Sequence, residues 1–357
     1  MNDAAKQFLF DLLNTPSPTG FETPGQRVWT DFLRDRADRV DNDSYGTAWA
    51  TIDGADGAPH LMLDAHVDEI GYMVRHITDE GFIYVTRIGG SDPAIARGLR
   101  VRILGDDGPV LGVVGNTAIH IRDRDNEKAP KVHELFVDIG ADSADAVAEQ
   151  GIRVGHPMIF DVNAADMVGS RITGRAIDNR LGGFIIAQVI ARLAEREDRP
   201  TATVSAANSV QEEIGGHGAK MITHRLEPDV AVAFDVTHST DSPGISQTEH
   251  GKIEMGKGPT VTHGTSNHPK VIERLVDVAE ENEIPLQHEP SSRRTGTDTD
   301  SIFKVRSGVP SGLVSVPLRY MHSTVEVVDL EDVEHCIQLL TAFARSIRED
   351  DVFTTEL

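Results

Sequence analysis

The sequence predicts an α/β fold in which a mostly parallel central sheet is flanked by helices and interrupted by an inserted β-rich barrel or sandwich. Up to residue 68, and again from residue 166, apolar strand patterns alternate with amphipathic helix patterns, which is typical of a parallel sheet covered on both faces. In residues 69–165, short runs rich in Val and Ile alternate with glycine turns, which favours a small barrel or sandwich. We therefore expect one unit from residues 1–68 with 166–357 and a second from residues 69–165.

The elements of the α/β unit can be placed in order along the chain. An N-terminal helix ends at the Thr15–Gly20 segment, where two prolines and a glycine stop it. The apolar segment Pro59–Val74 predicts a strand that becomes polar at its end. After residue 166 the chain alternates helices and strands, and Asp329 is a plausible N-cap for the last helix. In such sheets a ligand site lies at the carboxyl ends of the strands.

Charge and cysteine content exclude several classes of protein. The 357 residues include 34 basic and 57 acidic side chains, a formal net charge of −23, so binding to nucleic acid or an anionic membrane through a global basic field is not expected. One cysteine, Cys336, permits neither an internal disulfide nor a cysteine-based zinc finger. The N terminus has no basic leader, and no apolar run approaches the roughly 18 residues of a membrane span. We expect a cytoplasmic protein.

Two segments carry the first candidate site residues. His66 and Asp68 end the Pro59–Val74 pattern and, two residues apart on a strand, would face the same side; an imidazole binds zinc-like metals, and a neighbouring carboxylate can orient it. Asp178 and Asn179 stand at the start of a long predicted helix. Asp178 could equally be a helix-capping carboxylate.

Three later segments add four more candidates. Glu212 and Glu213 follow an apolar strand, Asp235 lies inside another, and His322 follows a third. A carboxylate within a buried strand needs a metal or a salt-bridge partner, because an isolated buried charge is very costly. Taken singly, these residues could be solvated loop carboxylates, a structural ion pair and an ordinary loop histidine.

Together, the strand ends and the helix start supply two His, two Asp and two Glu, in addition to Asp68. Mixed imidazole and carboxylate donors suit zinc, cobalt or manganese better than calcium. The carboxylates are too many for one structural zinc, so two metals about 3.5–4 Å apart, bridged by one carboxylate, fit better. Such a site polarises a carbonyl and generates hydroxide, and it needs one further carboxylate to move protons.

These motifs resemble the M42 family of metallo-aminopeptidases, the group of glutamyl and tetrahedral (TET) aminopeptidases, some of which carry an endoglucanase label. The resemblance extends over nearly the whole chain. The matching segments are AHVDEIGYMV from Ala65, AIDNRLGG from Ala176, VQEEIGGHGA from Val210, AFDVTH from Ala233, TGTDTDSI from Thr295 and LRYMHSTVE from Leu318.

The resemblance implies a role for each candidate and a zinc-peptidase-like fold. Glu212 would be the general base for attack by a metal-bound hydroxide on a peptide, and Asp68 would lie behind His66. The insertion would mediate dimerisation, with dimers assembling into a dodecamer. Two divalent ions per chain are implied, Zn²⁺ or Co²⁺ first and Mn²⁺ as a further candidate. One metal would be held by His66, Asp178 and Asp235, and the other by Asp178, Glu213 and His322.

The predicted substrate pocket departs from the family pattern in two places. These are Gly216–His217 and the GTDTD segment, so the side-chain preference stays open. Arg293 and Arg294 could bind an acidic side chain or a peptide carboxylate, or be solvated loop arginines. The candidate substrate-binding residues are His217, Arg293, Arg294, Gly296, Thr297 and Asp298.

Two other functions remain as alternatives to an aminopeptidase. An endoglucanase-like glycoside hydrolase would normally use two carboxylates and no metal, and 2 Trp and 4 Tyr offer few rings for stacking on sugars. A non-catalytic oligomeric scaffold would be expected to have lost ligands, and all five are present.

Overall fold

The fold is that of a computed structural model, which describes residues 1–122, 128–195 and 199–357. Its helices are α1 (Asp3–Asn14), α2 (Thr23–Leu33), α3 (Pro93–Ala96), α4 (Ala144–Glu149), α5 (Ile177–Ala194), α6 (His217–Leu226), α7 (Gln247–His250), α8 (Pro269–Glu281), α9 (Thr299–Ile302) and α10 (Leu330–Ser346). Its strands are β1 (Arg39–Asn42), β2 (Ala48–Ile52), β3 (His60–His66), β4 (Gly71–Ile77), β5 (Ile83–Ile88), β6 (Arg100–Gly105), β7 (Gly108–Val114), β8 (Phe136–Asp138), β9 (Pro157–Phe160), β10 (Ala165–Asp166), β11 (Arg171–Gly174), β12 (Thr203–Ser209), β13 (Val230–His238), β14 (Thr260–His263), β15 (Gln287–Pro290), β16 (Ser311–Leu318) and β17 (Glu326–Asp329).

The central sheet is mixed, with its parallel strands in the middle. In the described part of the chain it has eight strands in the order β1-β2-β12-β3-β13-β16-β14-β15. The four strands β12, β3, β13 and β16 are mutually parallel, as predicted for the middle of the sheet. The pairs β1–β2, β2–β12 and β16–β14 are antiparallel. The edge pair β14–β15 is parallel again. Four of the seven pairings in this sheet are therefore parallel, and the predicted mostly parallel arrangement is interrupted at three pairs.

Alternating side chains give the sheet an apolar core on each face. On β3, Leu61 and Leu63 belong to the larger core, which also takes in buried side chains of α1, α2, α5, α8 and α10. Met62, between them, belongs to the smaller core with Ala219 and Ile222 of α6. Burial of both faces removes the polar alternation that a one-sided strand shows, which explains why three consecutive residues of β3, Leu61–Leu63, are apolar.

The inserted region forms a closed barrel. Its strand order is β4-β5-β8-β7-β6-β9, and pairing of β9 with β4 completes the ring. A separate core fills it, including Tyr72, Val85 and Val101. The segment Pro59–Val74, expected as one strand, is two strands: β3 lies in the central sheet and β4 in the barrel. The chain thus leaves the central sheet directly after His66.

A three-stranded sheet has the order β10-β11-β17. Its strands β10 and β11 belong to the segment that leads from the barrel back to α5.

The last helix, α10, begins as predicted: Asp329 accepts the backbone N–H of Glu331 at 3.0 Å. Cys336 is buried on this helix. Within the described ranges, no helix combines the length and the apolar character that crossing a bilayer requires.

Candidate active site

β3 delivers the first two candidate residues to the carboxyl edge of the sheet. His66 and Asp68 are both buried, and Asp68 Oδ1 lies 3.4 Å from His66 Nδ1. The Asp68 carboxylate also accepts the backbone N–H groups of Glu212 at 3.0 Å and Glu213 at 3.2 Å. Burial opposes ionisation of Asp68, but its contacts with His66, the Thr19 hydroxyl and the backbone N–H of Glu212 together lower its pKa. A charged Asp68 therefore orients the imidazole and holds the loop that carries the two glutamates.

The start of α5 places Asp178 between two histidines. Asp178 and Asn179 have non-helical backbone angles, and the amide oxygen of Asn179 accepts the N–H of Gly182 at 3.1 Å. Asn179 therefore caps the helix, which leaves the Asp178 carboxylate free of that role. One oxygen of Asp178 lies 3.3 Å from His66 Nε2 and the other 3.3 Å from His322 Nε2. Asp178 therefore contacts both imidazoles, one through each carboxylate oxygen.

Asp235 lies near His66, whereas His322 contacts the other oxygen of Asp178. Asp235 is buried on β13, with Oδ1 4.0 Å from His66 Nε2. His322 follows β16 and has a left-handed backbone, with φ of 60°. Burial raises the pKa of Asp235 to about 7, and the nearby Asp178 carboxylate adds to the rise. Burial and repulsion between the carboxylates both disfavour the ionised form of Asp235, so a positive charge in this pocket would stabilise that form.

Glu212 and Glu213 point to different histidines. Glu213 Oε2 is 3.6 Å from His322 Nε2, whereas Glu212 Oε2 is 3.8 Å from His66 Nε2. Burial raises the pKa of both carboxyl groups, that of Glu212 to about 8. Adjacent residues reach different places because the chain is no longer extended here: Gln211 has a positive φ of 60°, and Gly215 donates its backbone N–H to the carbonyl of Glu212 at 2.8 Å, closing a turn.

The side chains form two groups whose donor atoms fit a divalent metal. Within each group, one donor atom from every residue lies within 4.8 Å of the others. Imidazole nitrogen combined with carboxylate oxygen is a donor set typical of zinc, cobalt and manganese sites. The groups are His66, Asp178 and Asp235, and Asp178, Glu213 and His322. They share Asp178, and Glu212 belongs to neither.

Comparison with known proteins identifies the family. Residues 46–339 match the profile of the M42 glutamyl aminopeptidase family. The chain belongs to the M42 family. Lysyl aminopeptidase of Pyrococcus furiosus is 35% identical over 345 residues, which cover 95% of this chain and 96% of that protein. The M42 chain is accordingly an aminopeptidase, a hydrolase.

Solved structures of aminopeptidases share the whole fold of this M42 chain. Aminopeptidase APDkam598 from the archaeon Desulfurococcus kamchatkensis matches with a TM-score of 0.90 at 34% identity, covering 98% of this chain and 97% of that one. The TET1 peptidase of Pyrococcus horikoshii, described as able to assemble into a tetrahedron or a large octahedral shell, matches with a TM-score of 0.85 at 27% identity, covering 96% and 100%. The mixed sheet and the closed barrel are thus the fold of this group of aminopeptidases.

A cavity of about 1030 Å³ opens onto the two groups of candidate metal ligands. The candidate substrate residues Arg293, Arg294, Gly296 and Thr297 line it. His217 is exposed at the first position of α6. Asp298 is 3% exposed and faces the buried carboxyl group of Asp64. Among the described residues, the lining of the cavity includes neither His217 nor Asp298.

Two buried acidic residues beside the site, Glu326 and Glu69, are not among those predicted from the sequence. Glu326 accepts backbone N–H groups from the segments that carry Asp178 and His322. Glu69, directly after Asp68, is buried and contacts Arg175 and Arg180. These two arginines precede and follow Asp178 in the sequence. Glu326 could have been found by the same signal as Asp235, an acidic residue in an apolar stretch, because it is the first residue of the EVVD strand β17.

Proposed function

We propose that this chain is a di-metal aminopeptidase that removes the N-terminal residue from peptides. The observation that carries the proposal is the position of Asp178, whose two carboxylate oxygens each lie 3.3 Å from a different histidine. A carboxylate shared in this way is the bridging ligand of a two-metal site. Zn²⁺ and Co²⁺ fit the donors best, and Mn²⁺ is a further candidate.

The proposed roles follow from which side chains belong to a metal group. Two divalent ions in such a site would supply polarisation of the scissile carbonyl and activation of a water. Glu212 stands beside His66 but outside both groups, so its carboxylate is available to take the proton of the attacking water and return it to the leaving amine. Asp68 keeps His66 oriented, since it touches the ring nitrogen that faces away from Asp178.

For substrate binding, we propose that the residues lining the cavity contact the peptide. Arg293 and Arg294 are exposed at its rim, where a guanidinium can bind a carboxylate in a bidentate manner. Gly296 and Thr297 border the same cavity. Buried Asp298 and exposed His217 would act only indirectly, by holding the loops that bear the pocket.

For the assembly, we propose that residues 69–165 form a dimerisation domain and that dimers associate into a dodecamer. Leu111 and Val113 project from β7 with 55% and 45% of their surfaces exposed. Apolar residues on the outside of a strand favour an interface. The described tetrahedron and octahedral shell of the Pyrococcus horikoshii peptidase support a closed homo-oligomer here.

A panel of amino-acid p-nitroanilides, assayed with and without chelator, tests the proposed function. We expect hydrolysis that chelator removes and that Zn²⁺ or Co²⁺ restores. The N-acetylated counterpart of the best substrate should not be cleaved, because an aminopeptidase requires a free amine. Hydrolysis of a cellulose oligosaccharide instead, or full turnover in excess chelator, would contradict the proposal.

A further inference from the structure

A buried carboxylate, Glu326, connects the two chain segments that meet at the second metal-binding group. Glu326 is the first residue of β17 and is 2% exposed. One of its oxygens accepts the backbone N–H of Ile177 at 2.8 Å and that of Asp178 at 3.2 Å. The other accepts the backbone N–H of His322 at 2.9 Å. A single side chain thus holds the main chain at both Asp178 and His322.

Both of these segments have backbone conformations that need support. Ala176 and His322 are non-glycine residues in the left-handed region, with φ of 57° and 60°. Such residues persist only where surrounding contacts fix them. The N–H groups at the start of a helix also lack partners within the helix. The Glu326 side chain supplies an acceptor oxygen to the backbone N–H groups of both segments.

The small sheet fixes where the Glu326 carboxylate stands. β17 pairs with β11 in the register Gly174 with Glu326, so Glu326 lies beside the strand that leads into the Asp178 segment. An isolated bridge joins Arg319 to Val327, which ties the segment before His322 to the same strand. Two stretches of chain that are distant in sequence, residues 174–178 and 319–327, therefore converge on one side chain.

We propose that Glu326 is a positioning residue that holds Asp178 and His322 in the arrangement that binds the second metal. The inference rests on the proposed di-metal function and adds a residue that belongs to neither ligand group. Both carboxylate oxygens are occupied by N–H donors, so an amide cannot replace the carboxylate fully. In Glu326→Gln the shape is kept, but the NH₂ group must face either His322 N–H or the Ile177 and Asp178 N–H groups.

The matched control is Asp332, a buried carboxylate on α10 that also accepts two backbone N–H groups. Its oxygens take the N–H of Gly256 at 2.6 Å and of Gly258 at 2.7 Å. Those residues lie in a loop that carries no proposed ligand. Asp332→Asn therefore reproduces the loss of a buried carboxylate without touching the site.

The test is a titration of metal-free protein with Zn²⁺ in competition with a chromophoric chelator, repeated with Co²⁺ to record its absorption spectrum. The wild type and Asp332→Asn should bind two ions. Glu326→Gln should bind the second ion about 10–100-fold more weakly, with a changed Co²⁺ spectrum for that ion. The first ion should weaken less, because only its shared ligand Asp178 is held by Glu326. Two wild-type affinities in Glu326→Gln would overturn the inference, and equal weakening in Asp332→Asn would do the same.

A measurement on the wild type keeps the inference testable if Glu326→Gln does not fold. In metal-free protein, the amides of Ile177, Asp178 and His322 should exchange slowly with deuterium, because Glu326 holds them before metal binds. Exchange as fast as that of exposed loop amides would overturn the inference. A wild type that binds no ions while these amides stay protected would instead contradict the proposed di-metal function.

Discussion

At the scale of single residues, neighbouring carboxylates acquire different roles from where they point. Asp68 and Glu69 are adjacent, yet Asp68 contacts His66 whereas Glu69 contacts Arg175 and Arg180. Glu212 and Glu213 divide in the same way between His66 and His322. The role of each carboxylate is therefore assigned from its contacts and not from its residue type.

Substitution of the two glutamates should separate proton transfer from metal binding. Glu212→Gln keeps the size of the side chain but cannot move protons, so kcat should fall by about 10²–10⁴-fold with metal content unchanged. Glu213→Gln should instead lower metal occupancy, since Glu213 belongs to a metal group. Kinetics paired with elemental analysis of each variant checks this. A Glu212→Gln enzyme that turns over at the wild-type rate would reverse our assignment.

At the scale of elements, the loop after β5 connects the barrel to the site. A Cβ added to Gly90 would lie 2.5 Å from Nδ1 of His322, and one added to Gly89 would lie 3.2 Å from Oε2 of Glu213. These glycines therefore allow the backbone of the insertion to pack against two proposed ligands. The barrel contributes to the active site by close approach, without supplying a ligand.

We predict that Gly90→Ala displaces His322 and weakens the second metal site about tenfold or more, as expected for a change beside a metal ligand. A competition titration of metal-free variant with Zn²⁺ measures the effect. Gly140→Ala is the control, because no described atom lies within 4 Å of the added Cβ, although its φ of 81° carries strain. Unchanged affinity in Gly90→Ala would show that the loop has room to move.

Some elements and site residues could be predicted from the sequence, and the reason differs from case to case. α10 and its Asp329 cap follow from local signals, so the prediction of that helix is confirmed. The division of Pro59–Val74 into β3 and β4 could not be predicted, because an apolar pattern records burial and not which sheet a strand joins. The capping by Asn179 in place of Asp178 depends on backbone angles that spacing does not reveal. The antiparallel direction of β14 against β16 could not be predicted either, because a hydrophobic pattern does not record the direction of a strand.

At the scale of the whole molecule, the outer surface of the barrel is the proposed subunit interface. The chain carries a net charge of −23, which opposes association of identical copies. Apolar contact has to outweigh that repulsion, and the exposed Leu111 and Val113 of β7 can supply it. We therefore expect the assembly to depend on a few apolar side chains and to become stronger at high salt.

Leu111→Glu should weaken this assembly. It removes the burial of one leucine, worth about 1.5–3 kcal/mol, and adds a negative charge, so association should weaken at least about tenfold. Light scattering at micromolar concentration should show smaller particles than the wild type forms. Val352→Glu, an exposed position outside the barrel, should leave the particle size unchanged. A wild type that is monomeric at that concentration would contradict the proposed assembly.

The proposed ligands come from five separate parts of the chain, between His66 and His322, so bound ions would act as reversible cross-links. By thermodynamic linkage, ions present at 100-fold above their dissociation constant would add about 2.7 kcal/mol per site to the free energy of unfolding. Calorimetry with and without chelator should show a higher Tm for the loaded enzyme, whereas equal values would exclude such coupling. Proteases act on opened chains. Scarcity of metal would then shorten the lifetime of the enzyme in the cell as well as stop its turnover.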